Sequence, residues 1–361
     1  MRFDAGARAL YATDASNYRE VPIGVVVPRD LDDVVATVAA CREFDAPVLS
    51  RGGGTSLAGQ CCNTAVVIDY SKWCNRIVEI DPRARTALVE PGCVLDQLRD
   101  AAAEHGLTFG PDPSTHAHNT LGGMIGNNSC GVHSVMAGRT ADNVIAMEVL
   151  TYDGARFWVG DGNGVERPDG AAGDGPDEID THAGGEDAKA AIYRGLKALR
   201  ERYAELIPER YPDIPRRVSG YNLDELLPAC GANVARALVG SEGTCVVVLR
   251  ARLRLVPRPP CRTLLMLGYA DVCGAAAHVP EVLDAGPVGL EGFDDNLIRF
   301  MRDKHMHPDA IARLPDGDGW LMVEFGGDTQ DQASASAGRL MERLRDCAST
   351  PSTRPSDVRR S

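Results

Sequence analysis

The chain has 361 residues, is 44% hydrophobic and carries a formal charge of −13. It can fill more than one ordinary core, and it has no basic excess with which to neutralise a nucleic-acid backbone. No nucleic-acid partner is expected. No apolar run reaches the roughly 20 residues that span a bilayer, and Met1 to Glu20 mixes charges without an apolar leader core. The expected compartment is therefore the cytoplasm, with peripheral membrane association left open.

The run Pro22-Ile23-Gly24-Val25-Val26-Val27-Pro28 is β-branched and bounded by prolines, as a strand would be. Asp30 then suits a helix N-cap, with Asp32 and Asp33 in the first turn and Val34, Val35, Val38, Ala39 and Phe44 at helical spacing. A short apolar strand, Ala46-Pro47-Val48-Leu49, runs into Arg51-Gly52-Gly53-Gly54-Thr55-Ser56-Leu57-Ala58-Gly59-Gln60. Four glycines and two hydroxyls in ten residues let successive N–H groups form a concave anion nest, and the expected guest is a phosphate. The spacing is neither GxGxxG nor GxxxxGK[ST], and Ala65–Asp69 reads as a strand where a Rossmann unit would place a helix. An isolated triple glycine would read as a surface loop; further glycine-rich stretches downstream change that weighting.

Hairpin strands follow at Ile77–Asp81 and Thr86–Glu90, then an amphipathic helix over Val94–His105. The stretch from Phe109 to Gly131, PDPSTHAHNTLGGMIGNNSCG at its centre, is rich in glycine, proline and short polar groups yet poor in charge. That suits lining a ligand better than facing water. A second hairpin is expected over Val144–Thr151 and Arg156–Val159 around Asp153-Gly154. Residues 160–186, nearly all Gly, Asp, Glu, Pro and Ala, read as a mobile acidic loop. Ala188–Tyr211 is helical by pattern, and the SGYNLDELLP segment leads to a third polar crossing, Gly240-Ser241-Glu242-Gly243-Thr244, between two apolar runs. A tight turn or bulge within a sheet is the plainer reading of that crossing.

Pro257-Arg258-Pro259-Pro260 is taken as the domain boundary. Beyond it Thr263–Tyr269, Ala275–Ala285, Gly289–Phe293 and Leu321–Phe325 begin a β-α-β rhythm, and from Cys347 the composition collapses to Ser, Thr, Pro and Arg. The expected organisation is a first domain over 1–257 that holds the glycine-rich stretches, a partial second α/β domain over 258–345 that is cut short, and a disordered tail over 346–361. The eleven cysteines lack any CxxC spacing, so neither zinc nor an iron–sulfur cluster is expected, and most read as small buried hydrophobes.

RGGGTSLAG, PDPSTHAHNTLGGMIGNNSCG with TADNVIAMEVLTYDG, and GSEGT, in that order, resemble the FAD-binding domain of the vanillyl-alcohol oxidase and p-cresol methylhydroxylase superfamily. Within it the chain is most similar to the FAD-linked D-2-hydroxyacid dehydrogenases, those of D-lactate, glycolate and D-2-hydroxyglutarate. The resemblance runs from about Val21 to about Asp328. It implies an α+β fold, a PCMH-type two-subdomain FAD-binding domain followed by a partial α/β substrate domain of the FAD-linked oxidase C-terminal type. It also implies the flavin contacts. Arg51, Gly52, Gly53, Gly54, Thr55, Ser56 and Gly59 would wrap the pyrophosphate. Pro113, Ser114, Thr115, Gly122, Gly123, Asn127, Ser129 and Gly131 would follow the ribityl chain and ring, and Gly240, Glu242, Gly243 and Thr244 would close the far side. The implied chemistry is hydride transfer from a D-2-hydroxyacid to flavin N5, with electrons passed to a quinone, cytochrome or cluster-bearing protein rather than NAD.

The residues fit that guest. Neutral N–H donors with Arg51 suit a diphosphate, and Thr115, Asn127, Ser129 and Thr244 offer donors on backbone that can approach a ring closely. Some superfamily members tether flavin through a histidine in the first loop. Thr55 stands in that place here, so FAD is expected to be non-covalent. His116, His118 and His133 read as structural histidines, with no carboxylate at ligand spacing and no metal expected. The resembled enzymes' base and metal ligands lie in the C-terminal part of their substrate domain. His278, His305 and His307 sit in a different context, so the catalytic base is unassigned. A flavin-binding fragment or electron-transfer subunit is the first alternative. A UDP-N-acetylenolpyruvoylglucosamine reductase or sugar oxidase is the second, disfavoured by SGYNLDELLP ahead of GSEGT.

Overall fold

A computed structural model of the chain describes residues 1–160, 177–345, 351–353 and 359–360. The chain divides into two compact units: Met1–Gly131 with Gly138–Val256, and Val132–Ala137 with Pro257–Ser361.

In the first unit, three parallel strands lie in the order Gly24–Val26, Val66–Asp69, Val48–Arg51. The middle strand is buried throughout, as its unbroken VVID sequence requires of a parallel strand covered on both faces. The helix Leu31–Glu43 connects the outer two. Asp30 caps it by accepting from the Asp33 amide at 2.9 Å, and Leu31, Val34 and Val38 form its buried face.

A second, antiparallel sheet of five strands has the order Ile77–Asp81, Thr86–Val89, Val247–Arg254, Val144–Leu150, Arg156–Gly160. Val247–Arg254 alternates buried and half-buried residues along its whole length, the period-2 signature of a strand with one face on a core. That core gathers Ala251, Leu253, Met147 and Val149 with Leu95, Leu98 and Ala102 from the helix Leu95–Ala103, and with Phe109 and Tyr193.

Two stretches read as loops contain helices. Leu121–Asn127 forms one inside the second glycine-rich stretch, started by the Thr120 hydroxyl, which accepts from the Gly123 amide at 3.3 Å. Glu178–Ala183, within the expected acidic loop, forms another because Asp177 caps it at Ile179 and Asp180 and Ile179 is fully buried. Residues 161–176 of that loop lie outside the described residues. The long helix is interrupted, Ala188–Tyr203 and then Leu206–Arg210.

The second unit is a sheet in the order Gly289–Asp294, Gly319–Gly327, Cys261–Tyr269, Arg359–Arg360, with every pairing antiparallel. The β-α-β rhythm of the sequence is present as a split unit, because Gly319–Gly327 inserts between the two strands it would have joined. The helix Gln330–Arg345 buries Ala337, Leu340 and Leu344 against Leu265, Leu267, Val323 and Phe325. The hexapeptide Val132–Ala137 belongs to this unit. The Val132 carbonyl accepts from the Leu290 amide at 3.3 Å, and His133 Nε2 lies 2.9 Å from Glu324 Oε1, which also takes Arg262 Nη1 at 3.1 Å. The tail expected to be disordered is partly placed. The Ser352 amide donates to the Gly268 carbonyl at 2.8 Å and Arg359–Arg360 extends the sheet; positions 346–350, 354–358 and 361 lie outside the described residues.

Candidate functional site

The three glycine-rich ribbons meet within the first unit. A Cβ added at Gly53 would stand 3.0 Å from the His118 carbonyl carbon, with the carbonyl oxygen closer still, and 3.4 Å from Asn119 Cα. One at Gly52 would meet Thr120 Cβ at 3.1 Å and its hydroxyl closer. The absence of side chains at both positions therefore lets the first ribbon lie directly on the second. Gly122 plays the same part against Pro91, 2.6 Å from its Cβ, and Gly131 against Asp112, 2.8 Å from Oδ1. The third ribbon is stitched to the helix of the second by two amides: Gly240 N donates to Ile125 O at 2.8 Å and Glu242 N to Gly126 O at 2.9 Å. Side chains close the seam. Asn127 Nδ2 donates to Glu242 Oε1 at 3.2 Å, and the Ser129 hydroxyl donates to Asn127 Oδ1 at 3.0 Å.

Between them lies a cleft with about 750 Å³ of empty space counted out to its open mouth. Arg51, Gly52, Ser56, Gly122, Gly123, Glu242 and Gly243 line it, seven of the residues expected from sequence. Gly53, Gly54, Thr55, Gly59, Pro113, Ser114, Thr115, Asn127, Ser129, Gly131, Gly240 and Thr244 are not among its lining residues. Pro113–Asn119 folds as consecutive turns, with His116 N on Pro113 O at 2.9 Å and Asn119 N on Thr115 O at 2.9 Å. The Asn119 carbonyl accepts from Leu95 N and His116 Nδ1 meets Asp96 Oδ2 at 2.7 Å, so this stretch docks on a helix start. The sequence reading missed Ser50, Tyr70 and Pro91, and the apolar walls Leu49, Ile125, Leu238, Val246 and Val248. The apolar runs of the sequence had located Leu49, Leu238, Val246 and Val248 but gave no sign that they face a ligand, and Ile125 lay in a stretch read as a loop.

Arg51 is held by carbonyls, donating to Cys61 O at 3.1 Å, Thr13 O at 2.9 Å and Tyr11 O at 3.4 Å while it stacks 5.3 Å from the Tyr11 ring. Carbonyls orient a guanidinium without cancelling its charge, and Arg51 has no carboxylate partner among the described residues. Glu242 is the cleft's acid. Burial pushes its carboxyl above the ordinary glutamate range, against the opposing hydrogen bonds of Asn127 and Gln60. Its φ of 51° puts a non-glycine residue in the left-handed region at the cleft wall.

The lining suits a dinucleotide. A Cβ at Gly126 would meet nothing nearer than Glu242 Cα at 4.0 Å and one at Gly243 nothing within 4 Å, so main chain is open to a guest there. The apolar walls suit a planar ring, and the charge of Arg51 with the hydroxyls of Ser50, Ser56 and Thr120 suits phosphate and sugar oxygens.

Residues 22–160, within the unit that carries the parallel and antiparallel sheets and the glycine-lined cleft, match the FAD binding domain family; FAD is the cofactor. The chain is 30% identical over 350 residues to D-2-hydroxyglutarate dehydrogenase of Pseudomonas putida, covering 94% of this chain and 34% of that protein. It is 31% identical over 301 residues to glycolate oxidase subunit GlcD of Bacillus subtilis, covering 82% of this chain and 51% of that one. The chain thus spans about a third to a half of the curated relatives it matches. Among solved structures, an alkyldihydroxyacetonephosphate synthase superposes with a TM-score of 0.63 at 16% identity, covering 98% of this chain and 58% of that one, a likeness of fold. The expected α+β class is the one observed. No described helix is long and apolar enough to cross a membrane.

Proposed function

We propose that this chain is the flavin-holding part of an FAD-dependent oxidoreductase that converts a D-2-hydroxyacid to the 2-oxoacid, the electrons leaving to a non-NAD acceptor. The observation that carries the reading is the convergence of the three ribbons on one cleft, taken with relatives named as D-2-hydroxyglutarate dehydrogenase and glycolate oxidase subunit. Bound flavin supplies a two-electron acceptor for the hydride of the α-carbon. The chain's own residues bind and orient it. Gly126 and Gly243 offer main chain, Arg51 offers charge toward the diphosphate, and Leu49, Ile125, Leu238, Val246 and Val248 exclude water from the ring. Of the remaining expected contacts, Gly52, Ser56, Gly122, Gly123 and Glu242 reach the guest from the cleft wall, and Gly53, Gly131 and Gly240 act by packing the ribbons. The substrate's hydroxyl proton needs a base and its carboxylate a cation.

The ten described cysteines are all free, which favours a reducing, cytoplasmic setting. Thr55 in the first ribbon favours dissociable FAD. A spectrum of the purified protein should show flavin bands in the near-ultraviolet and blue, bleached anaerobically by D-2-hydroxyglutarate, glycolate or D-lactate. A chain without flavin bands overturns the reading. Flavin that none of these acids reduces would leave instead a flavin-binding part that needs a partner, the second reading that the partial coverage of the relatives supports.

A further inference from the structure

Among the described residues Glu242 is the one carboxylate that lines the FAD cleft, and no cation pairs with it there. The other ionisable side chains of the lining are Arg51, Cys61 and Tyr70. Arg51 turns its guanidinium to the carbonyls of Tyr11, Thr13 and Cys61, and Tyr70 is buried with its hydroxyl 3.3 Å from Ser50 Oγ. The helix Leu121–Asn127, packed against Glu242, carries no ionisable side chain, and two positions along the third ribbon the Tyr221 hydroxyl meets Thr244 Oγ1 at 2.8 Å. What reaches the Glu242 carboxyl is neutral. Asn127 Nδ2 donates to Oε1 at 3.2 Å, and the Gln60 amide donates to the same carboxyl. Main chain fixes the residue at this place. Its amide donates to Gly126 O at 2.9 Å and its φ is 51°, so the backbone cannot shift away without unmaking the seam between the second and third ribbons.

Glu242 is exposed on the cleft wall, so a dinucleotide seated there removes water from its carboxyl and also brings the negative charge of a diphosphate. Both effects disfavour the ionised form, and hydrogen bonds from two neutral amides offset little of the penalty for burying an unpaired carboxylate. The neutral acid has the opposite character: one oxygen still accepts from the amides while the other donates its O–H to a guest rich in acceptors. We propose that FAD enters the cleft together with a proton taken up by Glu242, which then stands against the dinucleotide as a hydrogen-bond donor. This rests on FAD as the cofactor and not on which acid the flavin oxidises. Linkage fixes the sign. With the carboxyl's pKa higher in the complex than in the free protein, FAD binds most tightly below the free value. It loses affinity by up to about tenfold per pH unit between the two values and levels off above the higher one.

The test titrates FAD calorimetrically into the full-length apoprotein and its E242Q variant, in buffers of different ionisation enthalpy between about pH 5 and pH 8. Expected in wild type is proton uptake rising toward about one per FAD, with an affinity that falls as pH rises. Expected in E242Q, whose amide is neutral at every pH and can donate, is that this uptake is lost and that affinity stays near the wild-type value of the acid end throughout. FAD bound by wild type without proton uptake, or with uptake that E242Q leaves unchanged, overturns the proposal. So does an E242Q that keeps the wild-type melting temperature yet binds FAD more weakly than wild type at every pH, since the ionised carboxylate would then be what the guest needs. An infrared difference spectrum of FAD binding to wild type reads the same event without a variant: a gained carboxylic-acid C=O band supports it, and unchanged carboxylate bands overturn it. A wild type that binds no FAD overturns the cofactor assignment and the proposal together, whereas FAD bound without a proton overturns the proposal alone.

Discussion

Gly53→Ala isolates the contact on which the cleft depends. The added methyl would lie 3.0 Å from the His118 carbonyl carbon and 3.4 Å from Asn119 Cα, with the carbonyl oxygen nearer, and all of these are main-chain atoms that cannot rotate aside. Carbon pairs rest at about 3.5–4.0 Å, so the first and second ribbons must part by about 1 Å. Overpacking of this kind costs about 1–3 kcal/mol. If that loss falls on the state that holds FAD, affinity drops about 5- to 150-fold. Gly106→Ala is the matched control. At Gly106, φ is 68° and nothing lies within 4 Å, so the methyl adds only left-handed strain of about 1 kcal/mol, outside the cleft lining. Urea unfolding and fluorescence titration of FAD into the apoprotein should show G106A less stable with flavin affinity near wild type, and G53A at least tenfold weaker for flavin. Wild-type affinity in G53A would refute the view that ribbon contact shapes the site. An acidic replacement at Gly53 would be a poorer probe, because its backbone clash would mask any repulsion of phosphate.

Thr120→Ala removes the hydroxyl that caps the helix Leu121–Asn127 and fills the space beside Gly52. It should cost about 1 kcal/mol in urea unfolding, with Thr120→Ser close to wild type; an unchanged midpoint in T120A sinks the capping role. Burial tends to raise the Glu324 carboxyl, but the His133 hydrogen bond and the Arg262 charge outweigh it and hold the group below the ordinary range. A depressed native value stabilises above the unfolded pKa of about 4.3 and ceases to do so as pH falls through it. The gap in urea midpoint between wild type and E324Q should therefore be widest near neutrality and shrink below about pH 4; a gap constant from pH 7 to pH 3 contradicts the assignment. Acid precipitation should release the flavin and leave a colourless pellet, whereas a yellow pellet would mean a covalent tether.

Much of the frame could be read from local pattern. Asp30 announced its helix because a short acceptor preceded an apolar stripe, and the strands Gly24–Val26, Val66–Asp69 and Val144–Leu150 declared themselves by β-branched runs. The helix Leu121–Asn127 did not, since Gly122, Gly123 and Gly126 weaken helix propensity and only burial of Leu121, Met124 and Ile125 compensates. Glu178–Ala183 was hidden by its acidic neighbours for want of more than one anchor, Ile179. The roles of the glycines were also only half legible. Sequence showed that the ribbons need small residues, but whether the missing side chain makes room for a ligand or for another stretch of backbone is a fact about partners far away in the chain, as with Gly53 and His118, or Gly240 and Asn128.

The excursion Val132–Ala137 has a practical corollary for anyone dissecting this protein. A gene ended at Val256 would still encode those six residues but would remove the strands on which Val132 and His133 rest, stranding Glu324's histidine partner in the middle of a cofactor-bearing polypeptide. The seam visible in the primary structure and the seam along which the molecule comes apart are different lines, and a minimal flavin module would have to be excised with those six positions replaced by a short polar link.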